Sequence, residues 1–580
     1  MANLWWTHRY DRITPTTPVP STLEAVKIKS GKNGFASFQL VIQGPATGVV
    51  PTVTINGIPP ENIHLFKVSY LNLTHQSGPD GWKGPTANGL IPIGKDDVVG
   101  EVRNGAPFDV PANENRVVWV DVHVPPNASS GGSQGTATVK IPGQIDLQLA
   151  VFLTVWNFSL PSTAPRRSYW SLFYGAIPSA HSIKGDFSKT RLLYTQLGLD
   201  HYMSVSWFDD GNQDPTHIAQ TYGSAMNGTM ATQLKGAKLT SLNRIGDRTA
   251  FAAMAKVNGW MDRVIDYDTA IDEPPSQTPW SNIPVVAAKV RAAGLPVVLT
   301  TNIDDAAMNG VLDSVDIFCP LINQLNDKPA NLGGWLANLV GGQGGKYQAW
   351  LKASPKHELW AYQSCMSHGC GGEQTGEYWR GWPTYAIDAN PVRYPAMAWA
   401  MWQFGIKGEL YYESCQQLFS AWSDQWINEF GGNGDGTLFA PGTPDRIGGT
   451  THIPCATIRM KGIRDGYATI AMLEQLTLVN ESLAWELATG LYPNPYTYPT
   501  GTALVNAIER IGAALDKPEV IVTPPIVVVI PPVVIQPPPV PSVDILALKS
   551  ELVSLAVDIA SLASNLSSLG QRVSNLIKKL

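Results

Sequence analysis

Three regimes of hydrophobic patterning follow one another along the chain. Up to about residue 162, apolar and polar positions alternate, or run as short β-branched stretches, between clusters of Gly, Pro and Asn. Phe38-Gln39-Leu40-Val41-Ile42, Val117-Val118-Trp119-Val120-Asp121-Val122-His123-Val124 and Leu147-Gln148-Leu149-Ala150-Val151 are examples, and their spacing predicts a β-sandwich over 1–162. From 166 to about 430, strand-like runs alternate with helical ones. Eight candidate strands fall at 168–174, 199–207, 239–244, 264–271, 296–302, 315–323, 358–365 and 409–413. With no doubly wound phosphate-binding fingerprint, this alternation predicts a (β/α)8 TIM-type barrel. A Gly-rich loop and two helices follow, so the barrel unit is drawn over 166–515.

The third regime begins at Lys517. Residues 517–542 are dense in Pro, with Val and Ile between, a composition that excludes helix and predicts an extended Pro-rich linker. Across 543–580, Ile545, Leu548, Leu552, Leu555, Ile559, Leu562, Leu566, Leu569, Val573, Leu576 and Leu580 recur alternately three and four residues apart. That is the seam of an α-helical coiled coil. The d positions are all Leu, no Asn enforces a dimer, and Val553, Ala556, Ala560 and Ala563 flank the seam where a dimer usually carries paired charges. A homo-oligomer is expected, a trimer ahead of a dimer; a single amphipathic helix docked on its own protein is the alternative. The chain is therefore read as multidomain: β-sandwich, barrel, linker and C-terminal coiled coil.

Composition narrows the function classes. Charged residues make up 15% of the 580 and the net charge is −6, so no basic surface is available for nucleic acid. The first ten residues lack the cationic and apolar regions of a secretory signal, and no apolar run reaches the roughly 18 residues of a membrane span. Nineteen Trp suit a protein that meets sugars through flat aromatic faces, although most Trp in any chain pack in cores. Five Cys (Cys319, Cys365, Cys370, Cys415, Cys455) are too few and scattered for a disulfide framework. Cys365-Met366-Ser367-His368-Gly369-Cys370 lacks a second Cys/His cluster to complete a metal site, so ordinary thiols or one local disulfide are expected, with no metal and no cofactor.

Chemistry concentrates at Ile271-Asp272-Glu273-Pro274, where two adjacent carboxylates end the fourth candidate strand. The C-terminal ends of barrel strands carry the active site in this architecture; the plainer reading is that one acid caps the next helix. Asn302, Asn323, Tyr362, Gln363, Tyr412 and Glu413 arrive at later strand ends. Successive side chains of an ideal strand alternate, so both acids can reach one substrate only where the backbone turns. Neighbouring acids rarely span the roughly 5 Å, opposite-face arrangement of a double-displacement glycosidase. They suit substrate-assisted hydrolysis, in which a sugar's own acetamido carbonyl is the nucleophile, Asp272 polarises the acetamido N–H, and Glu273 is the acid/base.

Several collinear pieces resemble glycoside hydrolase family 123: 38–42, 118–125, Asp272-Glu273-Pro274, 315–320, Leu359-Trp360-Ala361-Tyr362, 399–408, 434–442, and Ile458-Arg459 through Arg464-Asp465-Gly466, together covering about 35–475. The resemblance implies a β-sandwich followed by a (β/α)8 barrel, and retaining exo-acting β-N-acetylgalactosaminidase chemistry with Asp272 polarising the acetamido group and Glu273 as acid/base. It also makes Trp360, Tyr362, Trp399, Trp402 and Tyr412 candidates for the sugar pocket, beside Glu413 and Asn302 from the strand-end reading. The chain departs from the pattern at Tyr467-Ala468-Thr469-Ile470-Ala471-Met472, where related sequences run into an acidic, Tyr-rich helix, and in the loop 363–373.

The expected function is a glycoside hydrolase for a 2-acetamido sugar, displayed as an oligomer. The stalk-and-heptad ending resembles an appendage of a bacteriophage particle, such as a tail spike or capsid fibre, so the expected partners are host-cell polysaccharide and other virion proteins, at the virion surface. The alternative is an inactive glycan-binding or structural virion protein, whose multivalency would supply avidity.

Overall fold

The central strands of the N-terminal sandwich read as nearly continuous apolar runs because both their faces are buried. In the computed structural model, which describes residues 2–206, 211–326, 328, 342–369, 376–423 and 432–516, these runs become β1 (Asn3–His8), β2 (Val26–Lys32), β3 (Phe35–Gln43), β4 (Ala46–Ile55), β5 (Ile63–Leu73), β6 (Gly84–Lys95), β7 (Val102–Asn104), β8 (Phe108–Val110), β9 (Asn115–His123), β10 (Gly131–Lys140) and β11 (Leu147–Ser159). One sheet has the order β1-β3-β9-β5-β6-β7 and the other β2-β11-β10-β4-β8. The predicted linker (517–542) and coiled coil (543–580) lie outside the described residues, as do Trp207 and Cys370.

Alternation along β9 assigns its two faces. Val118, Val120 and Val122 join Phe38, Leu40 and Ile42 in the core between the sheets. Val117 and Trp119 belong instead to the larger core shared with the C-terminal region, as does Val41 of β3. On that same face Asp121 receives Lys461 (2.8 Å) and Arg464 (2.9 Å) from the long helix Ile458–Leu491, with Ser37 and Trp119 donating at 2.7 Å. Burial by itself would raise the Asp121 pKa, but the two cations hold it well below the ordinary carboxylate value. The described residues accordingly form one compact unit.

From residue 166 the chain alternates helices with short parallel strands: β12 (Arg167–Trp170), β13 (Leu242–Asn243), β14 (Val264–Ile265), β15 (Val298–Leu299), β16 (Ile317–Phe318), β17 (Glu358–Ala361) and β18 (Gly408–Tyr411). Parallel pairing joins β12 to β18, β18 to β17, β17 to β16 and β16 to β15, and separately β13 to β14. Single parallel bridges continue the path, Asp266 to Val297 between β14 and β15, and Trp170 to Val205 beyond β12. Seven of the eight expected strands are present as ladders and the expected 199–207 strand as the bridge at Val205, because the helix Ser188–Leu199 occupies its first position.

All eight are shorter than expected, and the expected 264–271 strand shows why. The Asn243 side chain accepts Tyr267 N–H (2.8 Å) and donates to Tyr267 C=O (3.1 Å), taking the groups a ladder would use. The chain then makes a 3-10 turn, Thr269–Ile271, before reaching the acids. After β18, the short hairpin β19 (Ala440–Gly442) and β20 (Ile453–Cys455) precedes two helices, Ile458–Leu491 and Gly501–Leu515. Among the described residues, no helix is long and apolar enough to cross a membrane.

Candidate active site

Asp268 starts the turn that delivers the two acids, its carboxylate accepting Ala270 N–H at 2.8 Å as an N-cap. Asp272 has extended backbone (φ −73°, ψ 140°), but Glu273 has φ +38°. That left-handed conformation strains a residue with a Cβ by about 1–2 kcal/mol. It also breaks the strict alternation of side chains, which an ideal strand would impose on neighbours. The backbone is held there by Thr300 Oγ1, which accepts Glu273 N–H at 3.1 Å, and by Gln277 N–H, which donates to Glu273 C=O at 3.0 Å.

The two carboxyls have different surroundings. Asp272 Oδ1 accepts the Tyr267 hydroxyl at 2.9 Å and also the Thr300 hydroxyl, while Oδ2 has no hydrogen-bond partner among the described residues. Glu273 Oε1 accepts the Tyr362 hydroxyl at 3.0 Å. Burial, and next the charge of Asp272, raise the Glu273 pKa above its ordinary value, against the lowering effect of Tyr362. Tyr267 and Tyr362 are themselves pushed far up, chiefly by burial and then by the acid each one faces. Both phenols therefore stay protonated as donors. The result is one carboxylate with a fixed orientation and an open acceptor, beside one carboxyl biased toward carrying a proton.

Of the residues expected in the pocket, the structure brings Tyr362 to the pair, just beyond β17. Trp360, two positions earlier on that strand, is fully buried, donates Nε1 to Glu358 at 3.0 Å and lies under the Arg167 guanidinium at 5.3 Å. Trp399 and Trp402 are not brought to the pair. They lie on the helix Ala396–Gln403, where Trp399 packs on Tyr492 (5.3 Å) and Trp402 on Trp485 (4.7 Å). Trp402 lines a groove with Arg166 and Lys407, which precede β12 and β18, hence at the opposite ends of the strands from the acids.

Asn302 is occupied as a helix cap, accepting Asp305 N–H (2.9 Å) and donating to the Asp305 carboxylate (2.6 Å). Glu413 is buried, with Oε1 accepting three backbone N–H groups, from Phe173, Ser414 and Cys415 at 2.7–3.1 Å; burial pushes its pKa to about 7. Tyr412 is half-buried beside Gly436, whose lack of a side chain leaves room for the hydroxyl, since a Cβ there would meet it at 2.4 Å. Asn323 donates to Ser367 C=O and the Tyr378 hydroxyl. Cys365 is disulfide-bonded, and Cys319, Cys415 and Cys455 are free and buried. Among the described residues no group of three or more His, Cys, Asp or Glu could hold a metal ion.

Sequence reasoning missed Tyr267, Thr300 and Asn243. Tyr267 alternates with Asp266 and Asp268 just before the acids, and Thr300 stands two positions before Asn302 at the end of the next strand. Strand alternation carried out to the ends of the parallel strands would have brought both into view.

No protein-family model and no curated protein matches the chain. Solved structures do. A family 123 glycoside hydrolase from Clostridium perfringens, described for glycolipid glycan hydrolysis, aligns with a TM-score of 0.60 at 12% identity, covering 89% of this chain and 98% of that one. A family 39 glycoside hydrolase from Bacteroides cellulosilyticus aligns at 11% identity with a TM-score of 0.30, over 74% of this chain and 82% of that one. The first likeness extends to nearly the whole described chain and shows a shared fold.

Proposed function

We infer that the chain is a glycoside hydrolase that cleaves a 2-acetamido sugar, of the β-N-acetylgalactosaminide type, by substrate-assisted retaining catalysis. The observation that carries this reading is the division of labour at Asp272 and Glu273. The fold shared with a family 123 glycoside hydrolase supports it. In this reading the parallel strands close as a (β/α)8 barrel, with Ser204 and Thr240 side chains (2.7 Å) joining the second and third strands.

The acetamido carbonyl oxygen attacks the anomeric carbon as the glycosidic C–O bond breaks. Asp272 Oδ2 accepts the acetamido N–H and stabilises the positive oxazolinium, while Oδ1 is held by Tyr267 and Thr300. Glu273, whose hold on a proton is strengthened by burial and by Asp272, gives its proton to the leaving oxygen. The resulting carboxylate takes a proton from water, which attacks the anomeric carbon, and the acetamido group is restored with net retention. Tyr362 steadies the ionised form of Glu273 and so assists its return to base. The heptads of 543–580 extend the proposal to a homo-oligomer, a trimer by preference, displayed on a virion against host glycan.

The test is release of 4-nitrophenol from the β-N-acetylgalactosaminide and β-N-acetylglucosaminide, with Asp272→Asn and Glu273→Gln alongside. Turnover lost in both variants supports the reading. No turnover on these or on acetamido-containing polysaccharide would favour the glycan-binding alternative.

A further inference from the structure

Two arginines and two aspartates form a closed cluster immediately before the acids. Arg244 donates Nε to Asp266 Oδ1 at 2.9 Å and Nη2 to Asp268 Oδ2 at 3.1 Å. Arg248, from the first turn of the helix Arg248–Val257, repeats the pattern, Nε to Asp266 Oδ2 at 2.7 Å and Nη2 to Asp268 Oδ2. Each guanidinium thus bridges the same two carboxylates, and the four charges cancel. Forked pairing of this kind fixes direction as well as distance.

Tyr267 lies between the two aspartates in sequence. In extended backbone, residues 266 and 268 share one side and 267 takes the other. Gripping both aspartates fixes the side from which the Tyr267 hydroxyl reaches Asp272 Oδ1. Asp268 does a second job with its other oxygen, capping the turn Thr269–Ile271 that ends at Asp272. Asn243 holds the Tyr267 backbone from the neighbouring strand.

We propose that Arg244 and Arg248 are positioning residues, clamping Asp266 and Asp268 so that Tyr267 and the turn present Asp272 in its reactive orientation. The kinetic part rests on the glycosidase reading of the pair; the clamp on the turn does not. Neither arginine contacts either acid in the described structure, so their effect passes through Tyr267 and residues 268–271.

The experiment is a double-mutant cycle with Arg248→Gln and Tyr267→Phe, on whichever acetamido substrate the wild-type protein hydrolyses. Arg248→Gln is expected to lower kcat about tenfold with KM little changed, as misplacement of a reacting group does. In Arg248→Gln/Tyr267→Phe the two losses should not multiply, because both act through one contact. Arg248→Lys, able to pair with one carboxylate but not to fork, should fall between. Amide hydrogen exchange over residues 268–273, read by mass spectrometry without substrate, should quicken about tenfold in Arg248→Gln and stay unchanged in Arg291→Gln, a surface ion pair with Asp316. Multiplied kinetic losses, or unchanged exchange over 268–273, would overturn the proposal. If the wild-type protein hydrolyses nothing, the glycosidase reading fails while the exchange comparison still decides the clamp. If Arg248→Gln does not fold, Asp268→Asn replaces it, keeping an acceptor for Ala270 N–H and removing the charge.

Discussion

The Tyr362 hydroxyl donates to Glu273 Oε1 at 3.0 Å, joining residues 89 positions apart at the ends of two parallel strands. A hydrogen bond to the ionised carboxyl opposes the burial and the Asp272 charge that raise the Glu273 pKa. Tyr362→Phe should therefore raise that pKa further. The alkaline limb of the kcat/KM profile, where the acid loses its proton, is expected to move to higher pH, with roughly tenfold lower kcat at the optimum. A pH–rate profile of wild-type and variant proteins checks this; an unmoved limb would count against Glu273 as the acid.

Asp272→Asn works in the opposite direction on the same group. It removes the second-largest cause of the raised Glu273 pKa, so the alkaline limb should move to lower pH. Losing the anionic acceptor for the acetamido N–H should also cost about 10²- to 10⁴-fold in kcat. Residual activity, followed across pH, separates the two effects.

The aromatic residues of the helix Ala396–Gln403 give a contrasting expectation. Because Trp402 packs on Trp485 at the far ends of the strands, Trp402→Phe should leave kcat and KM within about twofold of wild type, as substitutions remote from a site usually do. A large rise in KM would put sugar recognition back at that tryptophan.

Lys461 and Arg464 tie Asp121 of the sandwich to the long helix Ile458–Leu491. Asp121→Asn leaves two buried cations short of their counter-charge and should destabilise by about 3–5 kcal/mol. The folded-state pKa of Asp121 is depressed, so its contribution is present above the unfolded value of about 4 and lost as pH falls below that. Urea unfolding of the two proteins at neutral and acid pH measures both claims.

Glu409 shows the reverse sign. It is fully buried, accepts the Tyr385 (2.6 Å) and Tyr467 (2.9 Å) hydroxyls, and burial pushes its pKa to about 7. The folded state holds this proton more tightly than the unfolded chain, so stability is lost as pH rises from the ordinary glutamate value to about 7. Glu409→Gln should be more stable than wild type at about pH 8.5, by on the order of 3 kcal/mol or less, and the gap should close toward pH 5. Thermal melts at the two pH values decide it.

Tyr467 is also informative about what could be read in advance. Where related sequences run into an acidic, Tyr-rich helix, this chain has Tyr467 serving buried Glu409 and Ile470 in the core.

By itself the sequence determined what depends on local periodicity. Period-2 alternation specified the sandwich strands, since a slip by one residue would turn Val118, Val120 and Val122 out of the core. Alternating apolar runs located the parallel strands, and the adjacent acids Asp272 and Glu273 marked the candidate site. Periodicity could not set where each strand stops, because Asn243 and other side chains take over the backbone groups at the strand ends. Nor could it say which partners meet the acids: Thr300 and Tyr362 stand 28 and 89 residues from theirs, and only the lateral order of parallel strands brings them together. The same limit applied to Trp399 and Trp402, whose indoles suit sugar stacking and core packing equally well; the end and face of the strand layer on which their helix lies is a property of the assembled fold.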